Sequence, residues 1–177
     1  MRKLHLSIIL SSALLLTLCG CSEVGPNIFN GIDKNAISPI ISFQTKNEQG
    51  YTVIDETYRG LASAILSAKG VEYMRDGAGI VNSHAELLKI VEESPYDLKY
   101  PEVDFSTQSL VVSKFCKGSS GYFVDRQRVK VSDNSSKLYI EVLFSGGGLT
   151  TCCQFYTMAV YPKLPDGKIE LVRFDNY

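Results

Sequence analysis

The stretch Leu138-Tyr139-Ile140-Glu141-Val142-Leu143-Phe144 decides the fold class. Its four even-numbered residues are all apolar, whereas the residues between them include Tyr139 and Glu141. Alternate side chains of a β-strand point to opposite faces of the sheet, so this spacing is typical of a strand and not of a helix. The stretch therefore predicts a strand with one strongly apolar face.

Two further runs on the N-terminal side of this stretch also predict strands. The run 109–115 is almost continuously apolar, which indicates a buried strand. In the run 123–131, Arg126, Arg128 and Lys130 share one face, and we expect that face to point to solvent. Such a charged stripe keeps an edge strand from aggregating, although it also suits an acidic partner or lipid headgroups. A turn at 133–136 joins this run to the stretch.

The runs on the C-terminal side predict the rest of the sheet. Residues 155–161 form a strand that ends at Pro162. The dipeptide Asp166-Gly167 is typical of a tight hairpin turn, so we expect the final strand, 169–174, to pair with the strand before it.

One clear helix precedes the strands. Ser83 and Glu86 have the spacing of a capping box, in which each side chain satisfies a free backbone amide of the first turn. Apolar residues then recur at helical spacing until Pro95 ends the helix. His84 lies beside the cap, where we interpret it as an ordinary surface residue. Upstream, 51–54 predicts a strand, and 61–66 fits either a helix or a strand.

Together these elements predict an α+β fold. It is mainly an antiparallel, sandwich-like β-sheet with one amphipathic helix packed on it. A single β-rich domain spanning residues 51–177 accounts for all of them.

The N-terminus predicts export and lipidation. Residues 1–20 have a basic start and an apolar core shorter than the roughly 20 residues of a membrane span, which is typical of a signal peptide. Leu18-Cys19-Gly20-Cys21 resembles a bacterial lipobox with Cys21 as the lipidated residue; the alternative is an ordinary cleavage site that leaves Cys21 bare. Residues 21–50 then form the lipidated cysteine and a tether. Ser22 favours the outer membrane over the inner membrane.

Charge and histidine content exclude several functions. The chain has 18 basic and 19 acidic residues, and loss of Arg2 and Lys3 with the signal peptide makes it more acidic, which argues against a nucleic-acid partner. Loss of His5 leaves only His84, so a multi-histidine metal site is excluded. No nucleophile–base pair or phosphate loop is recognisable. We therefore expect no enzyme activity, no metal and no cofactor.

Three cysteines flank two glycine-rich segments. Cys116 precedes the first glycine loop, and Cys152 and Cys153 follow the second. A structural disulfide from Cys116 to one of the other two would hold the loops together. The alternatives are a strained Cys152–Cys153 bridge, three buried thiols, and a redox or metal role.

The two glycine loops are the candidate partner-binding elements. The first glycine loop spans 117–122 and the second spans 145–151. Their candidate binding residues are Lys117, Gly118, Ser119, Ser120, Gly121, Tyr122, Gly146, Gly147 and Gly148. The ten tyrosines add a possible adhesive surface near Tyr96, Tyr100 and Tyr122, although tyrosines half-buried in strands are commoner.

Five short segments between Ile80 and Lys163 form a recognisable series. They are Ile80-Val-Asn-Ser83 before the helix, Pro101-Glu-Val-Asp-Phe-Ser106, Leu110-Val-Val112, Gly121-Tyr122 and Met158-Ala-Val-Tyr-Pro-Lys163. In these segments the chain resembles the C-terminal domain of the PrcB-like lipoproteins, whose namesake stabilises a surface protease complex. The chain departs from that pattern in lacking a helix tryptophan, in having Ser119-Ser120, and in its three extra cysteines.

The resemblance implies a lipid-anchored, non-enzymatic module in the bacterial envelope that holds or stabilises another exported protein. Because the family's namesake stabilises a protease complex, a protease is one candidate for that partner. A second similarity leads to a different hypothesis. The two glycine loops resemble those with which chagasin-type inhibitors enter the cleft of cysteine proteases, so the alternative function is protease inhibition through 117–122 and 145–151.

Overall fold

Ten strands and two helices form the part of the chain that the computed structural model describes, residues 36–117, 120–132, 137–149 and 153–176. The elements are β1 (Ala36–Ile37), β2 (Ile41–Ser42), β3 (Gln44–Lys46), β4 (Thr52–Ile54), α1 (Glu56–Ala68), β5 (Gly77–Val81), α2 (His84–Glu92), β6 (Gln108–Lys117), β7 (Ser120–Val131), β8 (Leu138–Leu149), β9 (Cys153–Pro162) and β10 (Ile169–Asn176).

The elements form three layers. The strand order β1-β7-β8-β10 makes one sheet, here called the outer sheet, and β2-β9-β6-β5 makes a second, the central sheet. One core cluster lies between the two sheets, and another lies between the central sheet and the helices. A separate two-stranded ribbon, β3–β4, completes the described fold. The predicted α+β class with mainly antiparallel strands is confirmed.

The central sheet is buried on both faces, which explains the continuous apolar run 109–115. Leu110 and Val112 of β6 belong to the cluster under the helices, whereas Val111 and Phe115 belong to the cluster under the outer sheet. A strand buried on both faces needs apolar residues at successive positions. The outer sheet has an apolar inner face only, so β8 alternates instead.

The ambiguous run 61–66 is part of a second helix, α1. Its buried residues Leu61, Ala62, Ile65 and Leu66 form one helical stripe, and the carboxylate of Asp55 caps the first turn by accepting from Thr57 N. The predicted capping box of α2 is present in altered form. Ser83 Oγ accepts from Glu86 N, but the Glu86 carboxylate accepts from Asn82 N, one residue before the cap.

The expected pairing of the last two strands is wrong. β10 pairs with β8, in parallel, and not with β9. The reason is that, at the end of β9 where a hairpin would begin, β6 lies on one side and β2 lies on the other. The chain therefore crosses from the central sheet to the outer sheet between Pro162 and Ile169.

The described strands begin before the domain start expected at Tyr51. β1, β2 and β3 all lie within 36–46, where β1 pairs with β7 and β2 pairs with β9. The predicted signal peptide, Cys21 and the first part of the tether lie outside the described residues, as does the predicted turn 133–136. Within the described ranges, no helix combines the length and apolar content of a membrane span.

Arg128 does not point to solvent as the stripe pattern suggested. It pairs with Glu141 on the neighbouring strand, with Nε 2.5 Å from the carboxylate, and both side chains are more than nine-tenths buried. The expectation failed because periodicity assigns a face to Arg128 without showing what charge stands opposite it. Glu141 is the residue directly across the ladder.

Loss of one partner of this pair leaves the other charge buried alone. We expect Arg128→Met to lower the free energy of unfolding by about 3 kcal/mol, and the double variant Arg128→Met/Glu141→Leu to lose much less. The matched control is Arg75→Met, which breaks an exposed pair with Glu72 and should cost under about 1 kcal/mol. Urea denaturation measures all three, and equal losses for the two single variants would refute a buried pair.

Candidate interaction surface

The two predicted glycine loops meet at one end of the sandwich. The first connects β6 of the central sheet to β7 of the outer sheet, and the second connects β8 back to β9. Lys117 pairs with Cys153 and Ser120 pairs with Leu149, so the backbones entering and leaving the two connections lie side by side. We call this the crossover end. The connecting residues 118–119 and 150–152, which include Gly118, Ser119 and Cys152, lie outside the described residues.

Most of the residues predicted as loops belong to strands. Ser120, Gly121 and Tyr122 are part of β7, and the three glycines 146–148 are part of β8. The ladder is irregular between Ser120 and Tyr122, and Gly146, the partner of Tyr122, has φ of +79°. Glycine adopts this left-handed conformation at little cost, which lets an irregular ladder continue where sequence signals favoured a loop.

Three phenylalanines fill the interior beneath the crossover end. The rings of Phe115 and Phe144 meet edge to face with centroids 4.7 Å apart, and Phe155 lies 6.4 Å from Phe144. They come from β6, β8 and β9, and therefore from both sheets. Edge-to-face aromatic pairs add to the stability that burial provides, so this end of the sandwich is firmly packed.

The segment 72–76, between α1 and β5, is fixed against the crossover end by a buried lysine. The ammonium of Lys114 donates to the carbonyl oxygens of Glu72 (2.7 Å) and Tyr73 (2.8 Å), and it lies 5.8 Å from the centre of the Tyr73 ring. Asp76 accepts from the backbone N–H of Cys116 at 2.7 Å. The 72–76 segment is therefore held by β6 at both of its ends.

A second set of contacts holds the same segment through β9. Gln154 Nε2 donates to the Tyr73 carbonyl at 3.1 Å, and Gln154 Oε1 accepts from the Tyr156 hydroxyl at 2.9 Å. Burial raises the pKa of Tyr156, so its phenol stays protonated and remains a donor. The polar side chains of Gln154 and Tyr156 thus hydrogen-bond to each other, and Gln154 also bonds to the backbone of the segment.

The side chains of Tyr73 and Met74 face outward from this anchored backbone. They are 73% and 59% exposed, respectively. An adjacent aromatic and thioether on a fixed backbone present apolar area that loses little conformational entropy on binding. The tyrosine content of the sequence pointed to Tyr96, Tyr100 and Tyr122 as adhesive residues and did not identify Tyr73. The only sequence signal near this segment is the short interval between the glycines Gly70 and Gly77. That interval does not show that Lys114 anchors the backbone of the segment.

The predicted cysteine bridge stays a prediction. Cys116 is half-buried and pairs across the ladder with Gln154, whereas Cys153 pairs with Lys117. The two cysteines are therefore one register position apart on neighbouring strands. Cys152 and the side chain of Cys153 are outside the described part of the structure.

Within the described ranges, titratable groups away from the crossover end do not form a recognisable catalytic arrangement. Among the described residues, no three His, Cys, Asp or Glu side chains could hold a metal ion. His84 opens α2, and its ring lies 6.4 Å from the rings of Tyr100 and Phe105. That position agrees with the interpretation of His84 as a residue beside the helix cap.

Three of the segments that carry the resemblance to PrcB-like lipoproteins, those with Asn82, Phe105 and Lys163, come together at the end opposite the crossover end. Asn82 donates to the Asp166 carboxylate at 2.7 Å and accepts from Ser109 Oγ at 2.6 Å. The Lys163 ammonium donates to the carbonyl oxygens of Asn82 and Phe105. We call this group the Asn82 cluster, and it ties β5, β6 and the chain after β9 into one unit.

No protein-family model matches this chain. No curated protein and no solved structure matches it significantly either. The resemblance to PrcB-like lipoproteins accordingly remains a prediction. The matching residues that belong to the Asn82 cluster have a structural role, because they hold strands and loops together.

Asp104 organises the turn that leads into β6. Its carboxylate accepts from Ser106 Oγ at 2.5 Å and from Thr107 Oγ1 at 2.8 Å. These hydrogen bonds, with the nearby charge of Lys163, hold the pKa of Asp104 below its ordinary value. The carboxylate therefore stabilises the turn at neutral pH, where it is ionised.

This pKa shift predicts how stability depends on pH. Because the pKa of Asp104 is lower in the folded chain than in the unfolded one, its contribution is complete above the unfolded value and disappears as the pH falls through the folded value. We expect Asp104→Asn to lower the melting temperature near neutral pH, and the difference from wild type to shrink on acidification. Thermal melts between neutral pH and about pH 2 test this; a difference that stays constant would contradict it.

Proposed function

We propose that this chain is a non-enzymatic interaction module of the bacterial envelope that docks another exported protein. The crossover end and the 72–76 segment together form the docking surface. The observation that carries the proposal is the pair Tyr73 and Met74, both exposed on a backbone that buried Lys114 and Gln154 hold in place.

The exposure of Tyr73 and Met74 on a rigid backbone supports a docking role for this pair. Scattered exposed apolar residues are normal on soluble proteins, but an aromatic residue on a rigid support is the type that contributes most at protein interfaces. Phe123 adds a further exposed aromatic near the crossover end, where its ring meets Tyr51 edge to face with centroids 5.4 Å apart. Exposed apolar residues near the crossover end thus come from the 72–76 segment and from β7.

The anchoring part of the proposal rests on the sequence alone. The lipobox-like Leu18–Cys21 supports lipidation at Cys21 after removal of residues 1–20, with the outer membrane favoured over the inner membrane. A lipid anchor confines the module to a membrane surface, so its partner is an exported protein. The resemblance to PrcB-like lipoproteins supports a protease as that partner.

A second candidate function has one observation in its favour. The two glycine loops lie side by side at the crossover end, as a chagasin-like inhibitor of cysteine proteases would require. Inhibition of a papain-like protease at micromolar concentration by the purified chain would support this candidate. No inhibition under those conditions would remove it.

The docking surface predicts a loss of partner when its anchors are truncated. We expect Tyr73→Ala/Met74→Ala to reduce recovery of a stoichiometric partner from detergent-solubilised envelope by at least ~10-fold, because hot-spot truncations cost about 2 kcal/mol or more. Tyr96→Ala is the matched control, since Tyr96 is 75% exposed but lies beside the α1–α2 groove.

Quantitative mass spectrometry of the purified complexes measures the recovery. Circular dichroism shows that each variant is folded. Equal recovery with the double variant and with the control would place the docking surface elsewhere. The complete absence of a stoichiometric partner in the wild-type sample would refute the proposed function itself.

A further inference from the structure

The chain enters the described fold at the end of the sandwich opposite the crossover end. β7 starts at the crossover end with Ser120 and finishes at Val131. Ala36, the first residue of β1, pairs with Lys130, one position before the end of β7. Because β1 and β7 are antiparallel, the chain enters β1 from this end, here called the tether end.

An exposed apolar pair lies at the tether end. Ile40 and Ile41 are 53% and 47% exposed, respectively. Ile41 pairs with Val160, two positions before the end of β9, and Ile40 N donates to the carbonyl oxygen of Val160 at 2.7 Å. The backbone of both isoleucines is therefore fixed to the central sheet. Only Ser38 and Pro39 separate the pair from β1, so it lies beside the point where the chain enters the fold.

The segment that contains this pair has the composition of a surface that contacts lipid. Residues 36–46 include no aspartate or glutamate, and their one charged residue is Lys46. Carboxylates are costly to bring into a bilayer, whereas a lysine at the interface keeps its ammonium among the headgroups. The segment therefore places two apolar side chains at the tether end without a charge that would oppose their insertion.

The position of the proposed lipid favours the same end. Fifteen positions separate Cys21 from Ala36, so the tether spans at most about 50 Å when fully extended. The ten residues of β6 run from the tether end to the crossover end and cover about 33 Å. The crossover end would therefore contact the bilayer only if the tether ran back along the sandwich for most of that length. The tether end needs no such path.

We propose that Ile40 and Ile41 insert into the lipid surface to which the chain is anchored, so that the crossover end points away from the membrane. The inference rests on the lipid anchor of the proposed function. The acyl chains supply the affinity for the bilayer, and the isoleucine pair selects which end of the domain faces it. Tyr73 and Met74 are then presented to the partner on the order of 30 Å from the membrane.

The small size of the pair favours lipid over a protein as its occupant. Two isoleucine side chains offer only a small part of the roughly 800 Å² that each partner buries in a stable protein interface. A second copy of the chain would need a much larger apolar surface around them. A bilayer needs no such surface, because the acyl chains of the anchor already hold the domain beside it.

Tryptophan fluorescence tests the inference on the intact lipoprotein in phosphatidylcholine vesicles. The chain contains no tryptophan, so Ile40→Trp introduces a single reporter at the tether end. Tyr73→Trp is the matched control, since it places the same reporter on an exposed residue beside the crossover end. Bromine atoms on the acyl chains quench only tryptophans close to them. Because interfacial side chains lie about 5–10 Å into the headgroup–acyl boundary, we expect at least ~2-fold quenching of Ile40→Trp and almost none of Tyr73→Trp.

A second substitution separates insertion from mere proximity to the bilayer. Adding Ile41→Asp to the Ile40→Trp variant leaves the tether unchanged but places a charge in the apolar pair. We expect this change to remove most of the quenching. Quenching that persists would show that the tether alone brings position 40 near the lipid, and it would overturn the inference.

Flotation of the vesicles distinguishes failure of this inference from failure of the proposed function. A chain that does not float with them lacks the anchor, which would overturn the inference together with the anchoring part of the proposed function. A chain that floats with Ile40→Trp unquenched, or quenched no more than Tyr73→Trp, would overturn the inference alone. Unquenched, blue-shifted Ile40→Trp emission with a dimeric mass in detergent would assign the pair to a second copy. The co-purification that depends on Tyr73 and Met74 would survive these last outcomes.

Discussion

Burial of the central sheet on both faces is the constraint on which the rest of the structure depends. Its two inner strands, β6 and β9, contribute to the core beneath the helices and to the core beneath the outer sheet. The helices cover one of those faces, and the outer sheet covers the other. The strand order follows as well: with both neighbours of β9 already in place, β10 joins β8 in the outer sheet, which makes the one parallel pair among the described strands.

Sequence periodicity was sufficient where one local pattern determines the structure. The alternation in β8, the apolar run in β6 and the cap at Ser83 can each be recognised from the residue types within a few positions. The α+β class and α2 were therefore predicted correctly. Periodicity failed where the outcome depended on distant partners. The burial of Arg128 depends on Glu141 across the ladder, and the pairing of β10 depends on which strand edges remain free. Neither is visible in a window of sequence.

The same distinction applies to the candidate site. Glycine content drew attention to the loops at 117–122 and 145–151, and the topology does bring their ends together. The residues now favoured for docking are instead on the 72–76 segment, whose importance comes from Lys114, about forty residues further along the chain. Because buried Lys114 holds the Glu72 and Tyr73 carbonyls by hydrogen bonds, a stretch that resembles an ordinary surface loop has a fixed backbone, which is what the proposed docking role requires.

The 72–76 segment also links the crossover end to both sheets. Tyr73 lies beside the crossover end, and Gly77 begins β5 only four residues later. Between them, Asp76 binds the Cys116 amide of β6 through one carboxylate oxygen and Arg173 of β10 through the other. This carboxylate therefore ties the segment that carries Tyr73 and Met74 to both sheets, so the proposed docking residues keep a fixed position relative to the sandwich.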